Sequence, residues 1–306
     1  MIEVSHLTKR FGSLAAVEDL SFRVEPGRVT GFLGPNGAGK TTTLRLALAL
    51  IRPTAGTVTF DGRPYAAIPK PAKQIGAALE AASFHPGRTA LGHLRMLAPE
   101  VGVSDKRCRE VLELVGLSQD AKRRVGQFSM GMRGRLGVAV ALLGDPGVLL
   151  LDEPTNGLDP EGISWMRSLL RAMAGQGRTI LISSHLLGEV ENTVHDVVII
   201  AKGRMVHHSS LAELRALAQP KTLVAAADPA ALTALVRSRG WQATPLGVPD
   251  GADPAHPPPG WVVAGPPAQE IGHAAFAANL ELTQLASQRA GLEQVFFQLT
   301  QGGGLK

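Results

Sequence analysis

The sequence predicts an α/β fold, a parallel-sheet core carrying an inserted helical subdomain and followed by a small α+β domain. Three observations predict it. Short apolar runs suited to buried parallel strands, Val29 to Leu33, Val148 to Leu151, Thr179 to Ser183 and Val197 to Ile200, alternate with helical stretches. Between Gly76 and Leu143 the alternation gives way to three helical patterns, Thr89 to Leu97, Lys106 to Val115 and Gly131 to Leu143. Beyond residue 216 the pattern restarts as strand, helix, strand, strand, helix, strand, with a terminal helix from about Gly291 to Thr300, the order of a split-βαβ unit. The expected organisation is therefore a first domain over 1–216, with its helical subdomain at about 76–143, and a second domain over 217–306. Within the second, Pro245 to Pro267 holds eight prolines, including Pro257-Pro258-Pro259, and reads as an extended loop.

Composition fits two folded cores. Of 306 residues, 44% are apolar and 19% charged, the range of a globular chain. The longest apolar stretch, Leu136 to Leu151, is broken by Gly144, Asp145 and Pro146, whereas a spanning helix needs about 20 uninterrupted apolar residues. Met1-Ile2-Glu3-Val4-Ser5 lacks the basic start and apolar core of a signal peptide, so a cytoplasmic location is expected. The single cysteine, Cys108, agrees with a reducing compartment. The net charge of +5 comes from scattered basic residues, with Lys122-Arg123-Arg124 the one tight cluster. Aromatics, at 4%, do not interleave with them as single-strand binding requires, so no nucleic-acid partner is expected.

Gly34-Pro35-Asn36-Gly37-Ala38-Gly39-Lys40-Thr41 fits the phosphate-binding pattern GxxxxGK[ST], directly after an apolar strand and before a predicted helix over Thr42 to Ile51. Glycines let backbone N–H groups curl around phosphate oxygens, and the helix offers its positive end. Lys40 is the expected partner of the β- and γ-phosphates, and Thr41 of Mg²⁺. Val148 to Leu151 ends in Asp152-Glu153, which puts two carboxylates at the carboxyl edge of the sheet, where ligands bind. Asp152 is placed to hold Mg²⁺ through water and Glu153 to polarise an attacking water. Nothing resembling the guanine-reading NKxD element is present.

Further motifs narrow the choice. Phe128-Ser129-Met130-Gly131-Met132 opens a helix shortly before Asp152; taken alone, Ser129 is an N-cap. Asn156-Gly157-Leu158-Asp159 and Ser183-Ser184-His185 follow in order. Over Ile2 to about Leu214 the chain resembles ABC transporter ATP-binding subunits: a P-loop NTPase cassette with a parallel-sheet core, antiparallel β elements and an inserted helical subdomain. Among them it is similar to the bacterial drug and antibiotic exporter group of bacitracin and daunorubicin type.

The resemblance implies ATP and Mg²⁺ as ligands. It also implies a sandwich with a second copy of the chain or a sister cassette, in which Ser129 and Gly131 reach the γ-phosphate held by the other chain's Gly34, Asn36, Gly37, Gly39, Lys40, Thr41 and Thr42. Asp159 would shape the site across that interface, and His185 would sense the γ-phosphate in cis. Phe11 takes the place of the aromatic that stacks on adenine, a contact that reads a π-face loosely enough to admit GTP. A separate transmembrane permease is implied, which would hold the chain at the inner face of the membrane.

Three positions depart from the commonest family pattern. Glu80, after Ile75-Gly76-Ala77-Ala78-Leu79, stands where a glutamine usually links Mg²⁺ and water to the permease, and resembles the variant in bacitracin-type and lantibiotic-type exporters. Met130 and Met132 replace a glycine and a glutamine. Leu292 to Thr300, near the end of the second domain, is similar to the accessory domain of exporter ATPases and favours export over import. Ribosome-acting relatives carry two cassettes per chain, and chromosome-organising ones insert long coiled coils; this chain does neither. A dead scaffold is disfavoured because Lys40, Thr41, Asp152, Glu153 and His185 are all in place.

Overall fold

The computed structural model describes residues 1–79, 84–217, 221–246, 260–288 and 292–301. The chain opens with the hairpin β1 (Ile2–Phe11) and β2 (Leu14–Val24), then enters the core through β3 (Val29–Leu33), α1 (Lys40–Ala47) and β4 (Ala55–Phe60). The short α2 (Pro71–Gln74) leads into β5 (Ile75–Ala78), and α3 (Ala90–Val101), α4 (Asp105–Leu114) and α5 (Met130–Leu142) follow. The next elements are β6 (Val148–Leu151), α6 (Pro160–Gly175), β7 (Thr179–Ser184), α7 (Leu187–Val190), β8 (Asp196–Ala201), β9 (Arg204–Ser210) and α8 (Leu211–Ala216). Then come β10 (Lys221–Ala226), α9 (Pro229–Ser238), β11 (Gln242–Leu246), β12 (Gly260–Ala264), α10 (Ala268–Ala277), β13 (Leu282–Gln288) and α11 (Leu292–Gln301). Two compact units result, one of Met1–Leu214 together with residues from Phe296 on, the other of Arg215–Val295.

In the first unit a six-stranded sheet runs β5-β6-β7-β3-β8-β9, parallel except for β9, and a three-stranded antiparallel sheet runs β2-β1-β4. Every residue of β3 is buried, because it lies between β7 and β8 with both faces covered; that is why its sequence reads as a continuous apolar run. Phe22, Phe32, Leu44, Leu150 and Val198 share one core with β1 and β4. One polar group sits badly there. Thr30 is 1% exposed and its Oγ1 has no hydrogen-bond partner among the described residues. Thr30→Val keeps the shape and removes the unpaired hydroxyl, so stability should rise by about 1 kcal/mol. A urea midpoint equal to or below that of the unchanged chain would contradict this account.

Several boundaries differ from the sequence reading. The helical pattern expected from Gly76 does not begin there: Ile75–Ala78 is an edge strand of the main sheet, paired with Val148–Leu151. Its small residues carry no helix or strand signature, and they are small for a packing reason. A Cβ on Gly76 would lie 2.0 Å from the Ala141 carbonyl of α5. Helix α1 begins at Lys40 rather than Thr42 and ends at Ala47, where the chain turns through Ala49 at φ 55. Helix α3 continues past Leu97 to Val101 and stops at Gly102, whose φ of 68 suits glycine. In the helical insertion Asp105, in the first turn of α4, receives Arg95 and Arg109, and the Arg95 guanidinium holds its carboxyl down to about 2.

The second unit is a four-stranded antiparallel sheet of order β11-β12-β10-β13. Strand β10 alternates, burying Thr222, Val224 and Ala226, and Leu232, Val236, Val263 and Ile271 pack on that face from α9, β12 and α10. Helix α9 starts at Asp228, whose carboxylate accepts from the N–H groups of Ala230 and Ala231, with Pro229 at the first helical position. Most of the proline-rich segment, 247–259, lies outside the described residues.

Candidate functional site

Sheet register builds the site. Leu33 pairs with Ser184 across β3 and β7, and Leu151 with Ile182 across β6 and β7. The residues that follow β3 and β6 therefore emerge at one sheet edge, with the end of β7 between them. The turn after β3 needs its glycines: Gly39 adopts φ 106, and a Cβ on it would meet the Ala16 carbonyl at 2.5 Å. A Cβ on Gly34 would meet the Ile200 carbonyl at 2.4 Å. Gly39 is also the N-cap of α1, and since no side chain caps that helix, its first-turn amides form an anion site.

Lys40 is 6% exposed, and its Nζ donates to the carbonyls of Gly34 at 2.7 Å and Pro35 at 3.3 Å. The same ammonium lies 3.4 Å from Glu153 Oε1, while His185 Nδ1 lies 2.9 Å from Glu153 Oε2. Glu153 is thus held between the Lys40 side chain and the His185 ring. Its backbone sits at φ 48, a left-handed conformation that a non-glycine residue adopts at a cost of about 1 kcal/mol and that recurs at functional sites. Asp152 is 6% exposed. Thr41 Oγ1 donates to its Oδ2 at 2.7 Å, and Ser183 Oγ donates to its Oδ1. Ser183 also accepts from the Glu153 N–H at 2.9 Å.

Ser183 escaped the sequence reading as a separate site residue. A hydroxyl closing the run Thr179-Ile180-Leu181-Ile182 was visible, but not that β7 lies beside β6 and brings it level with Asp152.

A cavity of about 650 Å³ gathers Asn36, Gly37, Gly39, Lys40, Thr41, Thr42, Asp152, Glu153 and His185. Met130, Arg133, Gly134 and Gly137 of α5 line its other side. Phe11 is not among the lining residues; it is half-exposed at the tip of the β1–β2 hairpin, with Lys9 Nζ 4.9 Å from its ring centre. Ser129 caps α5 by accepting from the Met132 N–H at 3.2 Å, on an exposed surface. Gly131 packs against the Gly157 carbonyl, 2.9 Å from where a Cβ would stand. Asp159 caps α6, accepting from the Gly162 N–H at 2.8 Å. Glu80 lies outside the described residues.

The chemistry this edge can perform is specific. Backbone amides and a buried ammonium suit phosphate oxygens, and two converging oxygens, Thr41 Oγ1 and Asp152 Oδ2, suit a hard divalent cation. No group of three or more His, Cys, Asp or Glu side chains among the described residues is arranged to hold a metal by itself.

Comparison with known proteins agrees with this geometry. The family described as ABC transporter matches residues 17–156, and a domain of unknown function (DUF8746) matches residues 220–293. The chain is 45% identical over 209 residues to the bacitracin transport ATP-binding protein BcrA of Bacillus licheniformis, covering 67% of this chain and 68% of that one. It is 33% identical over 311 residues to BcrA of Enterococcus faecalis, covering 100% of this chain and 98% of the relative. Among solved structures, an ATP binding subunit of an ABC transporter superposes with a TM-score of 0.65 at 28% identity, over 71% of this chain and 92% of that one.

Proposed function

The chain belongs to the ATP-binding subunits of ABC transporters, an ATPase family, and from that premise we propose that it drives export of antibiotics or other amphipathic compounds through a separate membrane permease. The export reading is supported by the likeness to bacitracin transport proteins, which in the Enterococcus faecalis relative extends through the second domain. No described helix is long and apolar enough to cross a membrane, so membrane attachment falls to that permease.

The observation that carries the catalytic reading is the placement of Glu153, beside Asp152 and between Lys40 and His185. In this reading Lys40 and the backbone amides between Asn36 and Thr42 hold the phosphates, with Gly34, Gly37 and Gly39 shaping the turn. Thr41 and Asp152 hold Mg²⁺, which neutralises charge on the β- and γ-phosphates. Glu153 takes a proton from the attacking water, and Ser183 fixes both carboxylates by bonding to Asp152 and to the Glu153 amide. His185 orients Glu153 and senses the γ-phosphate. Phe11, exposed beside the cavity's own strand β2, stacks on the base. Glu80 retains the coupling role that its place in the sequence implies.

Ser129, Gly131 and Asp159 have cis partners that serve helix capping and packing, yet Ser129 and Asp159 remain exposed. They are therefore free to complete the site of a second copy. Purified from native membranes, the chain should bring a multi-span membrane protein with it and hydrolyse ATP. Ser129→Arg, whose side chain would occupy the space of the other chain's γ-phosphate, should lower turnover at least about tenfold while leaving nucleotide affinity within about twofold. Failure to recover any membrane protein would overturn the transporter reading, and unchanged turnover in Ser129→Arg would overturn the role in trans.

A further inference from the structure

We propose that Lys9 is a positioning residue for base binding, holding one face of the Phe11 ring so that the other stands ready for the adenine of ATP. The proposal rests on the stacking role of Phe11 given above and names what orders that ring before the base arrives. Phe11 ends β1, is 50% exposed and lies outside the apolar core that β1 shares with β2 and β4. Lys9 Nζ stands over the ring, 4.9 Å from its centre, within the range of a cation–π contact. Of the two side chains the charged one is the more buried, which reverses the usual preference. Among the described residues Lys9 has no ion-pair partner; its ammonium donates instead to the Arg52 carbonyl at 2.7 Å.

The strand is shaped to deliver this arrangement. Pairing of β1 with β2 shifts register on both sides of Lys9, between Leu7 and Lys9 and between Lys9 and Arg10, and such bulges re-aim a side chain. The Arg10 N–H donates to Thr54 Oγ1 at 3.0 Å, and the Thr54 N–H donates to the Thr8 carbonyl at 2.8 Å. With the bond to Arg52, three contacts brace residues 8–10 against residues 52–54, which follow α1, the helix whose first turn forms the anion site. On the other side Phe11 pairs with Leu14, and Ala16, two residues further along β2, lines the cavity. The ring is thus fixed relative to both the helix that holds the phosphates and the strand that borders them. An exposed phenylalanine at a hairpin tip would otherwise lose rotamer freedom on stacking; with Lys9 over it, that ordering occurs on folding rather than on binding.

Lys9→Met keeps the apolar stem and removes both the charge and the donor. KM for ATP should rise about fivefold, the order of effect for one side chain that must now be ordered on binding, with kcat nearly unchanged. Magnesium tripolyphosphate, which offers phosphates without a base, should inhibit the variant and the parent with Ki values within about twofold of each other. Phe11→Ala should raise KM for ATP at least as much. Adding Lys9→Met to Phe11→Ala should change little further, since Lys9 acts through the ring. Lys9→Arg, which keeps a cation and a donor, should bring KM back to within about twofold of the parent. If Lys9→Met melts early, Lys9→Gln, which keeps a donor for the Arg52 carbonyl, carries the same comparison of ATP with tripolyphosphate. An unchanged KM in Phe11→Ala would overturn the stacking reading and this proposal with it. A raised KM in Phe11→Ala beside a parental KM in Lys9→Met would overturn the positioning role alone. So would an equal loss of tripolyphosphate binding, or single effects that multiply in the double variant.

Discussion

Glu153→Gln is expected to lower ATP turnover by about 10²- to 10⁴-fold, the range for losing a positioned general base, while ATP binding persists and an ATP-bound dimer accumulates. The carboxylate has two oxygens in use, one 3.4 Å from the Lys40 ammonium and one 2.9 Å from His185. Glutamine keeps the volume and one accepting oxygen, and it inherits the same φ of 48 at similar cost. What it lacks is negative charge and any affinity for a proton near neutral pH. The groups assigned to phosphate binding are untouched: Lys40 keeps its bonds to the Gly34 and Pro35 carbonyls, and Asp152 keeps Thr41 and Ser183. Phosphate release followed alongside gel filtration with ATP and Mg²⁺ separates the two effects. Turnover at the unmodified rate would remove Glu153 from the catalytic assignment, and ATP binding without a dimer would leave the sandwich without support.

Lys40→Met should fail at an earlier step. The ammonium is 6% exposed and is the one cation in contact with both the phosphate-binding turn and Glu153 among the described residues. Methionine keeps much of the apolar stem and removes the charge. Losing one partner of a buried charge-assisted contact costs about 2–5 kcal/mol, so ATP affinity should fall at least about thirtyfold. The same change leaves the Glu153 carboxylate without the Lys40 ammonium, so turnover at saturating ATP should fall as well. Calorimetric titration with a non-hydrolysable ATP analogue measures the first effect, and a thermal melt shows whether the fold is intact. Affinity within threefold of the unmodified chain, in a protein that melts normally, would show that the backbone amides alone hold the phosphates. Together the two variants separate binding from chemistry, because Glu153→Gln should bind without turning over and Lys40→Met should scarcely bind.

Local pattern was enough to locate the chemistry-bearing segments. The glycine-rich turn follows five consecutive residues that are all buried, and Asp152-Glu153 follows four more, so both positions at strand ends were legible from apolar runs alone. The order of elements after residue 220 was legible for the same reason, since β10 alternates with period two and α9 and α10 do not. Ser129 at the start of α5 announced itself as a cap by residue type and by the helical pattern that follows. These are short-range properties, carried by sterics and by hydrogen bonds within a few residues.

What tertiary structure alone decided is who stands beside whom. Nothing in the chain's periodicity says that β7 lies between β6 and β3, yet that order puts Ser183 on both Asp152 and the Glu153 amide. Ile75–Ala78 read as the start of a helical region because its small residues carry no period, and only pairing with β6 and the close approach of α5 at Gly76 make it a strand. The left-handed backbone of Glu153 and the bond from Lys9 to the Arg52 carbonyl are likewise invisible to local reading. Each depends on contacts between residues about thirty or more apart in sequence, whose free energy appears only once distant strands and helices have paired and excluded water from between them.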